Sequence, residues 1–341
     1  MNWIRKNSAS KFSLGAVVLA IVAAATLVNA AGKGLDVEIA YEMKALKITG
    51  SSSPVYVQVQ GDKLIFSDAS GAVMSAPIGG GTATTMAKVD KPAGVAIAPA
   101  GFGSYAGQVF VASGSDEKSP CKIMREGGAS ASDFAALPDA GKLNGGKATE
   151  CRDLEFGSGP FAGKLYAVSN GNATIYEIDA SGKAKAFATF DGTPSYEIGS
   201  LGFTAANDPK APNSLLVGMR PRMEVAAKVG RINVFGTDGK QKTEYLVGFI
   251  NPTGWGYAPN GFGSYGGLLF IVDAGRPAAK NEAARDGSIY RIDNKGVTRA
   301  FGSGMVDPNC LRVTNNAMVI ADPAEQGKPG KGSIVVITSM L

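Results

Sequence analysis

Two short stretches hold the most reactive side chains of this sequence. ECRDLEFG, beginning at Glu150, places Asp153 and Glu155 two residues apart, and DPNCLRVT, beginning at Asp307, gives Cys310 and Arg312 the same spacing. On an extended strand that spacing turns both side chains to one face. Each stretch therefore offers a pair: two carboxylates in the first, a thiol beside a guanidinium in the second. Buried without partners, such charges cost several kcal/mol, on the order of a whole stability margin. They must be paired, Asp153 or Glu155 against Arg312, or solvated in a channel, or engaged with a ligand or metal. Histidine is absent from all 341 residues, which removes imidazole bases, Ser-His-Asp triads and most zinc or copper sites. Chemistry falls to carboxylates, amides, Lys, Arg or Tyr. A nucleophilic Cys310 would have only the charge of Arg312 to activate it.

GFGSYG, from Gly261 to Gly266, matches the G-x-G-x-x-G string of dinucleotide-binding folds. That mechanism needs a helix after the glycines, whose N-terminal amides hold the pyrophosphate. Here the glycines lead instead into GLLFIVDAG, a short β-branched and aromatic run that reads as a strand. The same stretch occurs twice, APAGFGSYAGQVFV at Ala98 and APNGFGSYGGLLFI at Ala258, 160 residues apart. It marks a repeat. Its glycines serve turns, and Phe262 and Tyr265 are expected to pack over the end of a sheet. No nucleotide, haem or zinc is expected.

The elements that must position these residues emerge from the repeat. KPAGVAIA at Lys91 and NPTGWGYA at Asn251 precede the two copies, and the same shape recurs as SPVYVQVQ at Ser53, ECRDLEFG at Glu150, EIGSLGFT at Glu197 and DPNCLRVT at Asp307. From Pro54 to Pro308 these span 254 residues in five intervals, about 51 per unit, the period of a propeller blade. Each unit continues with a second strand (KLIFSD, QVFVAS, KLYAVS, SLLVGM, LLFIVD, AMVIAD) and a third (AVMSAP, CKIMRE, TIYEID, RINVFG, SIYRID, SIVVIT). Fourth strands are expected in every unit except the last, where the sequence ends first. VEIAYEMKALKI, near the N-terminus, is left over and can fill that gap. The expected fold is all-β: a six-bladed β-propeller of four-stranded antiparallel blades over residues 31–341, closed by strands from both termini, which removes exposed edges.

Blade five, NPTGWGYAPNGFGSYGGLLFIVDAG followed by DGSIYRIDNKG, resembles the NHL-type repeat: P-x-G, alternating apolar residues, a Gly turn, an apolar run ending in Asp, then an R-I/V strand and a D/N-G turn. Blades two, three and six carry most of that pattern, and blades one and four its skeleton. The chain is thereby similar to six-bladed members of the superfamily that includes NHL-repeat proteins and the gluconolactonase-like calcium-dependent hydrolases. The resemblance implies the fold more strongly than an activity. In those hydrolases calcium sits at the channel mouth on a Glu in an E-x-P-x-W setting and on Asn and Asp of later blades. DPNCLRV is similar to their P-N-G-L motif and would carry a ligand role to Asn309. The first motif departs, with Ser52 in place of the Glu and Tyr56 in place of the Trp.

In such a blade, the loop leading into the first strand and the loop after the second lie on one face. The residues preceding the inner strands form a ring of Ser53, Lys91, Glu150, Glu197, Asn251 and Asp307. The second strands end on the same side at Asp68, Ser169, Arg220, Asp273 and Asp322. Long loops gathered on one face of a rigid scaffold commonly carry binding. The ligand-binding candidates are Glu150, Asp153, Glu197, Arg220, Asn251, Asp273, Asp307 and Arg312. A calcium site, which needs six to eight oxygens, would draw on Glu150, Glu197, Asn251 and Asn309. Two functions are open: a propeller that binds a small molecule, glycan or protein, or a calcium-dependent lactonase or esterase.

Cys121 and Cys151 fall on the same face of neighbouring blades and are expected to form a disulfide, leaving Cys310 free. The N-terminus supports that redox setting. Residues 1–30 read as a signal peptide, with basic Arg5, Lys6 and Lys11, an apolar Ala-rich run, and VNA at Val28 to Ala30. Export to a periplasm or the exterior is expected, with no later membrane span. Without those three cations the formal charge falls from +5 to +2, and nothing argues for nucleic acid. A monomer is expected.

Overall fold

The computed structural model describes residues 41–114, 121–128, 130–138, 151–169, 173–190, 196–221, 229–258, 262–275, 286–293, 295–314, 316–323 and 332–339. The signal peptide expected over residues 1–30 lies outside them. The described strands form six four-stranded antiparallel sheets arranged as the blades of a ring, together with one short parallel pair. Their inner strands are Pro54–Gln60, Pro92–Ile97, Cys151–Phe156, Tyr196–Phe203, Pro252–Tyr257 and Asn309–Val313. Successive inner strands lie against one another all the way round, blade six against blade one included.

The second strands explain why the blades stack. Lys63–Asp68, Val109–Ser113, Leu165–Ser169, Leu215–Pro221, Leu269–Asp273 and Ala317–Asp322 are almost wholly buried on both faces. A strand covered on both sides reads as a continuous apolar run rather than an alternation, which is how KLIFSD and LLFIVD read. The described core accordingly divides into six apolar clusters, one in each gap between neighbouring blades.

The N-terminal segment closes the ring. Tyr41–Leu46 pairs antiparallel with Ser333–Ser339, from Tyr41 opposite Ser339 to Leu46 opposite Ile334, and becomes the outer strand of blade six. Ile48–Thr49 then pairs parallel with Gly81–Thr82 in blade one, so one segment fastens two blades. Tyr41 stacks on Phe262 and Tyr265, each at 5.0 Å between ring centroids. The GFGSY element is thus a packing device. Phe262 and its counterpart Phe102 are fully buried, Gly263 takes the positive φ of 57° that favours glycine, and Arg291 and Arg125 lie over Tyr265 and Tyr105 at 4.5 and 4.9 Å.

Every inner strand carries a register shift near its start, between Pro54 and Tyr56, Pro92 and Val95, Cys151 and Leu154, Ile198 and Ser200, Pro252 and Gly254, and Asn309 and Leu311. Six strands converging on an axis crowd one another there, and a bulge adds the twist that lets them pass. Where the approach is closest only glycine fits. A Cβ on Gly94 would stand 2.5 Å from the Leu154 nitrogen, and one on Gly254 2.5 Å from the Cys310 Cα.

A disulfide joins Cys121, just before the third strand of blade two, to Cys151 at the start of blade three, with Cα atoms 5.5 Å apart. Cys310 is free and buried. Titration of denatured, unreduced protein should find one thiol, rising to three after reduction. Closing a 30-residue loop contributes about 3.5 kcal/mol in the chain-entropy account, so Cys121→Ser should lower the melting temperature clearly. Three thiols before reduction, or an unchanged melt, would remove the bridge.

Candidate functional site

The site is built from the rim inward. At the end of the second strand in blades one, five and six, an aspartate braces the loop leading into the inner strand. Asp68 accepts hydrogen bonds from the Ser52 and Ser53 amides, each at 3.0 Å, and from the Ser51 and Ser52 hydroxyls, each at 2.6 Å. Burial opposes its ionisation, but these bonds and those from Ser70 bring the carboxyl down to about 2. Asp322 accepts from the Val306 and Asp307 amides. Asp273 accepts from Ile250, Asn251 and Gly275 at 2.8, 2.7 and 3.1 Å. Asp273, expected among the ligand-binding residues, therefore has both oxygens engaged with the backbone that shapes the rim.

Blade four departs from this device and so creates a site. Its second strand has no such aspartate and near its end carries instead Arg220, opposite Glu197. Arg220 Nε and Nη2 donate to Oε2 of Glu197 at 2.8 and 2.6 Å, and both side chains keep about a quarter of their exposure (26 and 29 %). A charged pair replaces a buried carboxylate, and it faces the mouth. Across the ring the Asp307 carboxyl feels three influences. Burial pushes it up, while the guanidiniums of Arg220 and Arg152 draw it down. Asn251 adds a buried Oδ1 without a hydrogen-bond partner, directed toward Gly199. Under this cluster lies Tyr56 of blade one, 4 % exposed, whose hydroxyl reaches across the axis to the Gly199 carbonyl at 3.5 Å.

Below Tyr56 the channel is filled. Asp153 accepts the Leu154 amide on Oδ1 at 2.8 Å and the Leu201 amide on Oδ2 at 2.9 Å. Cys310 accepts the Val57 amide on Sγ at 3.2 Å, and burial pushes its thiol pKa up, the opposite of what a nucleophile needs. One layer deeper, Arg312 Nη2 donates to Glu155 Oε2 at 2.6 Å. Blades three and six are opposite each other, so this ion pair spans the axis. Of the pairings open to the sequence, Glu155 with Arg312 is the one formed, and Asp153 stays with backbone amides. Asp153 and Arg312, expected on the ligand-binding face, thus lie beneath the buried layer that Tyr56 forms.

Asp153 is expected to make the stability of the channel depend on pH. Burial pushes its carboxyl up to about 7, against the pull of Arg312 and the two amides and with the added push of Glu155. An unfolded aspartate titrates near 3.9. Between those values the folded chain holds a proton that the unfolded chain has lost, so stability falls as pH rises through the window. Burial also raises Glu155, Asp307 and Asp322, which act in the same direction, whereas the lowered Asp68 acts only in acid. Stability should therefore decline from pH 5 toward pH 8, with Asp153 contributing about 1.4 kcal/mol per unit at most. In Asp153→Asn the slope should flatten. An equal slope in both proteins, read from denaturant midpoints, would show that Asp153 is not its source.

Sequence reasoning placed Glu197, Arg220, Asn251 and Asp307 at the mouth, and the structure brings them together there. It missed Arg152 and Tyr56. Strict alternation aligns Arg152 with the core residues Leu154 and Phe156, and only the bulge after Cys151 releases it toward the mouth. Glu150 lies outside the described residues. Asn309 begins the inner strand of blade six, half-buried and opposite Ala321.

Calcium fits these residues poorly. Glu197 is bonded to Arg220, and two guanidiniums would face a dication. Among the described residues no three Cys, Asp or Glu side chains gather as a metal would require.

The architecture is that of a six-bladed β-propeller closed by strands from both ends of the chain, the class to which the repeat pointed. No protein-family model matches the sequence, and no curated protein matches it. Solved structures do resemble it. A structural-genomics protein from Bacteroides thetaiotaomicron is similar with a TM-score of 0.59 at 10 % identity, over 88 % of this chain and 76 % of its own. An auxiliary nutrient binding protein from the same organism gives 0.53 at 10 % identity, over 84 and 69 %. A virginiamycin B lyase from Staphylococcus aureus with quinupristin gives 0.51 at 14 % identity, over 88 and 100 %. At such identities the likeness shows the fold alone. Among the described residues no helix is long and apolar enough to cross a membrane.

Proposed function

We propose that this protein is an exported propeller that binds a small polar molecule at the channel mouth. One observation carries the reading: charged and polar side chains of blades three to six converge over a floor that Tyr56 and the Glu155–Arg312 pair close from below. A polar cup with a shut floor suits a ligand held at the surface of the ring. The leader-like N-terminus and the disulfide support export. A nutrient binding protein and a lyase share the architecture, so the fold does not choose between binding and catalysis. The residues favour binding, because the thiol is buried, histidine is absent, and Asp153, Glu155, Glu197 and Asp273 are engaged with arginine or backbone.

A thermal-shift screen of the mature protein tests this. A ligand at a hundred times its dissociation constant adds about 2.7 kcal/mol, and that shift should vanish in Asn251→Ala. Calcium and chelator should give the same melting temperature. A calcium-induced rise accompanied by lactone or ester hydrolysis would replace the binding reading with the hydrolase. Shifts indifferent to changes at the mouth would move the site elsewhere.

A further inference from the structure

Behind the rim, where blade four meets blade five, lies a cavity of about 250 Å³ lined by Ile250, Asp273, Gly275, Asp286, Ser288 and Tyr290. Asp286, Ser288 and Tyr290 alternate along the stretch that leads into the third strand of blade five, Gly287–Ile292, so they fall on one face. Among the described residues none that lines the cavity is basic. Asp286 is exposed. Its carbonyl accepts the Ser288 hydroxyl at 3.4 Å, but its carboxylate makes no hydrogen bond or ion pair among the described residues. Asp273 adds a second carboxylate, whose oxygens are held by backbone amides. The half-buried Tyr290 ring is propped edge-on against Phe249, with centroids 5.5 Å apart.

The neighbouring blade shows what such a space holds. A Cβ on Gly230 would strike Pro252 of the next blade, and one on Gly287 would strike Pro308, so the third strands of blades four and five align at these glycines. Arg231 then corresponds to Ser288. Tyr196 likewise corresponds to Ile250, each two residues ahead of the bulge in its inner strand. In blade four the Arg231 guanidinium lies over the Tyr196 ring at 4.6 Å. It donates to Glu244 Oε1 at 2.6 Å and to the Tyr196 hydroxyl at 2.8 Å. In blade five a serine replaces the arginine, and the space is open. We infer that this cavity binds a guanidinium brought by a ligand, a small alkylguanidinium or the arginine side chain of a peptide. The Asp286 carboxylate is its counter-charge, reinforced by Asp273, and Tyr290 is its aromatic wall. The site does not depend on the mouth being a binding site.

Propylguanidinium and a blocked Gly-Arg-Gly tripeptide are the probes, with propylurea and the citrulline tripeptide as their uncharged isosteres, each titrated calorimetrically into the protein. At least one charged probe should bind saturably and neither isostere should. Tighter binding of the tripeptide identifies an arginine side chain as the source of the guanidinium, and equal or tighter binding of propylguanidinium a small molecule. Affinity should fall at least tenfold in Asp286→Asn, a change at an exposed side chain that leaves the ring intact. Ser288→Arg should rebuild the arrangement of blade four, abolish binding and leave the melting temperature unchanged or higher; should that variant fail to fold, Asp286→Asn decides. Isosteres that bind as well as the charged probes, binding unchanged in Asp286→Asn or retained in a folded Ser288→Arg, or no binding by either charged probe would overturn the inference.

Discussion

A protein beginning at Gly50, and so lacking Tyr41–Leu46, should melt about 10 °C or more below one that keeps this strand and should associate in solution. The loss has separable parts. Leu46 is 8 % exposed, and its burial contributes about 2 kcal/mol. The ring of Tyr41 touches Phe262, Tyr265 and Phe301, worth about 1 kcal/mol per pair beyond area. Ser333–Ser339 would lose its whole ladder partner. Together these amount to roughly 5 kcal/mol, at 2–4 °C per kcal/mol for a domain of this size. The freed edge is also a template for pairing between molecules. A synthetic peptide covering residues 41–49 should restore much of the melting temperature, because the strand binds only the folded ring. A truncated protein that stays monomeric and melts like the parent would show that the ring does not depend on this strand.

Arg312→Met should cost about 3 kcal/mol at pH 8 and much less at pH 5. Removing one partner of a buried pair leaves the other charge uncompensated, which generally costs 3–5 kcal/mol. The lower end applies because Arg312 and Glu155 keep 15 and 27 % side-chain exposure. Burial works against the arginine's charge, yet Glu155, Cys310 and Asp153 keep it firmly protonated. Without it, Asp153 and Glu155 face each other with only amides and Gln58 to hold their charge, and both carboxyls rise further. Protonation at pH 5 then relieves the strain of the variant more than that of the parent. Adding Glu155→Gln should recover stability at pH 8, since a neutral pair needs no counter-ion. A variant equally stable at both pH values would mean that the channel pair contributes little.

The blade count was legible in the sequence because it is written in local signals. Gly turns, apolar second strands and the 51-residue period each depend on a few neighbouring residues, and they return six times. The same holds for the strand left over at the N-terminus, since a unit short of a strand and an unused strand imply each other. Cys121 and Cys151 could be paired for a related reason: the repeat assigned both to the same face of adjacent blades, and the structure joins them.

The floor of the site was not legible, and the reason is physical. A period of two assigns each inner-strand residue to the axis or to the core only while the strand is regular. All six inner strands bulge where they crowd the axis, and that crowding comes from five other blades rather than from neighbours in sequence. Hence Arg152 reaches the mouth despite its place in the alternation, and Tyr56 crosses the ring to Gly199, 143 residues away. Glu155 and Arg312 show both sides at once. Their need for a partner followed from their charge and spacing; that they would meet 157 residues apart, across the axis and beneath a sealed layer, was decided only when the ring closed.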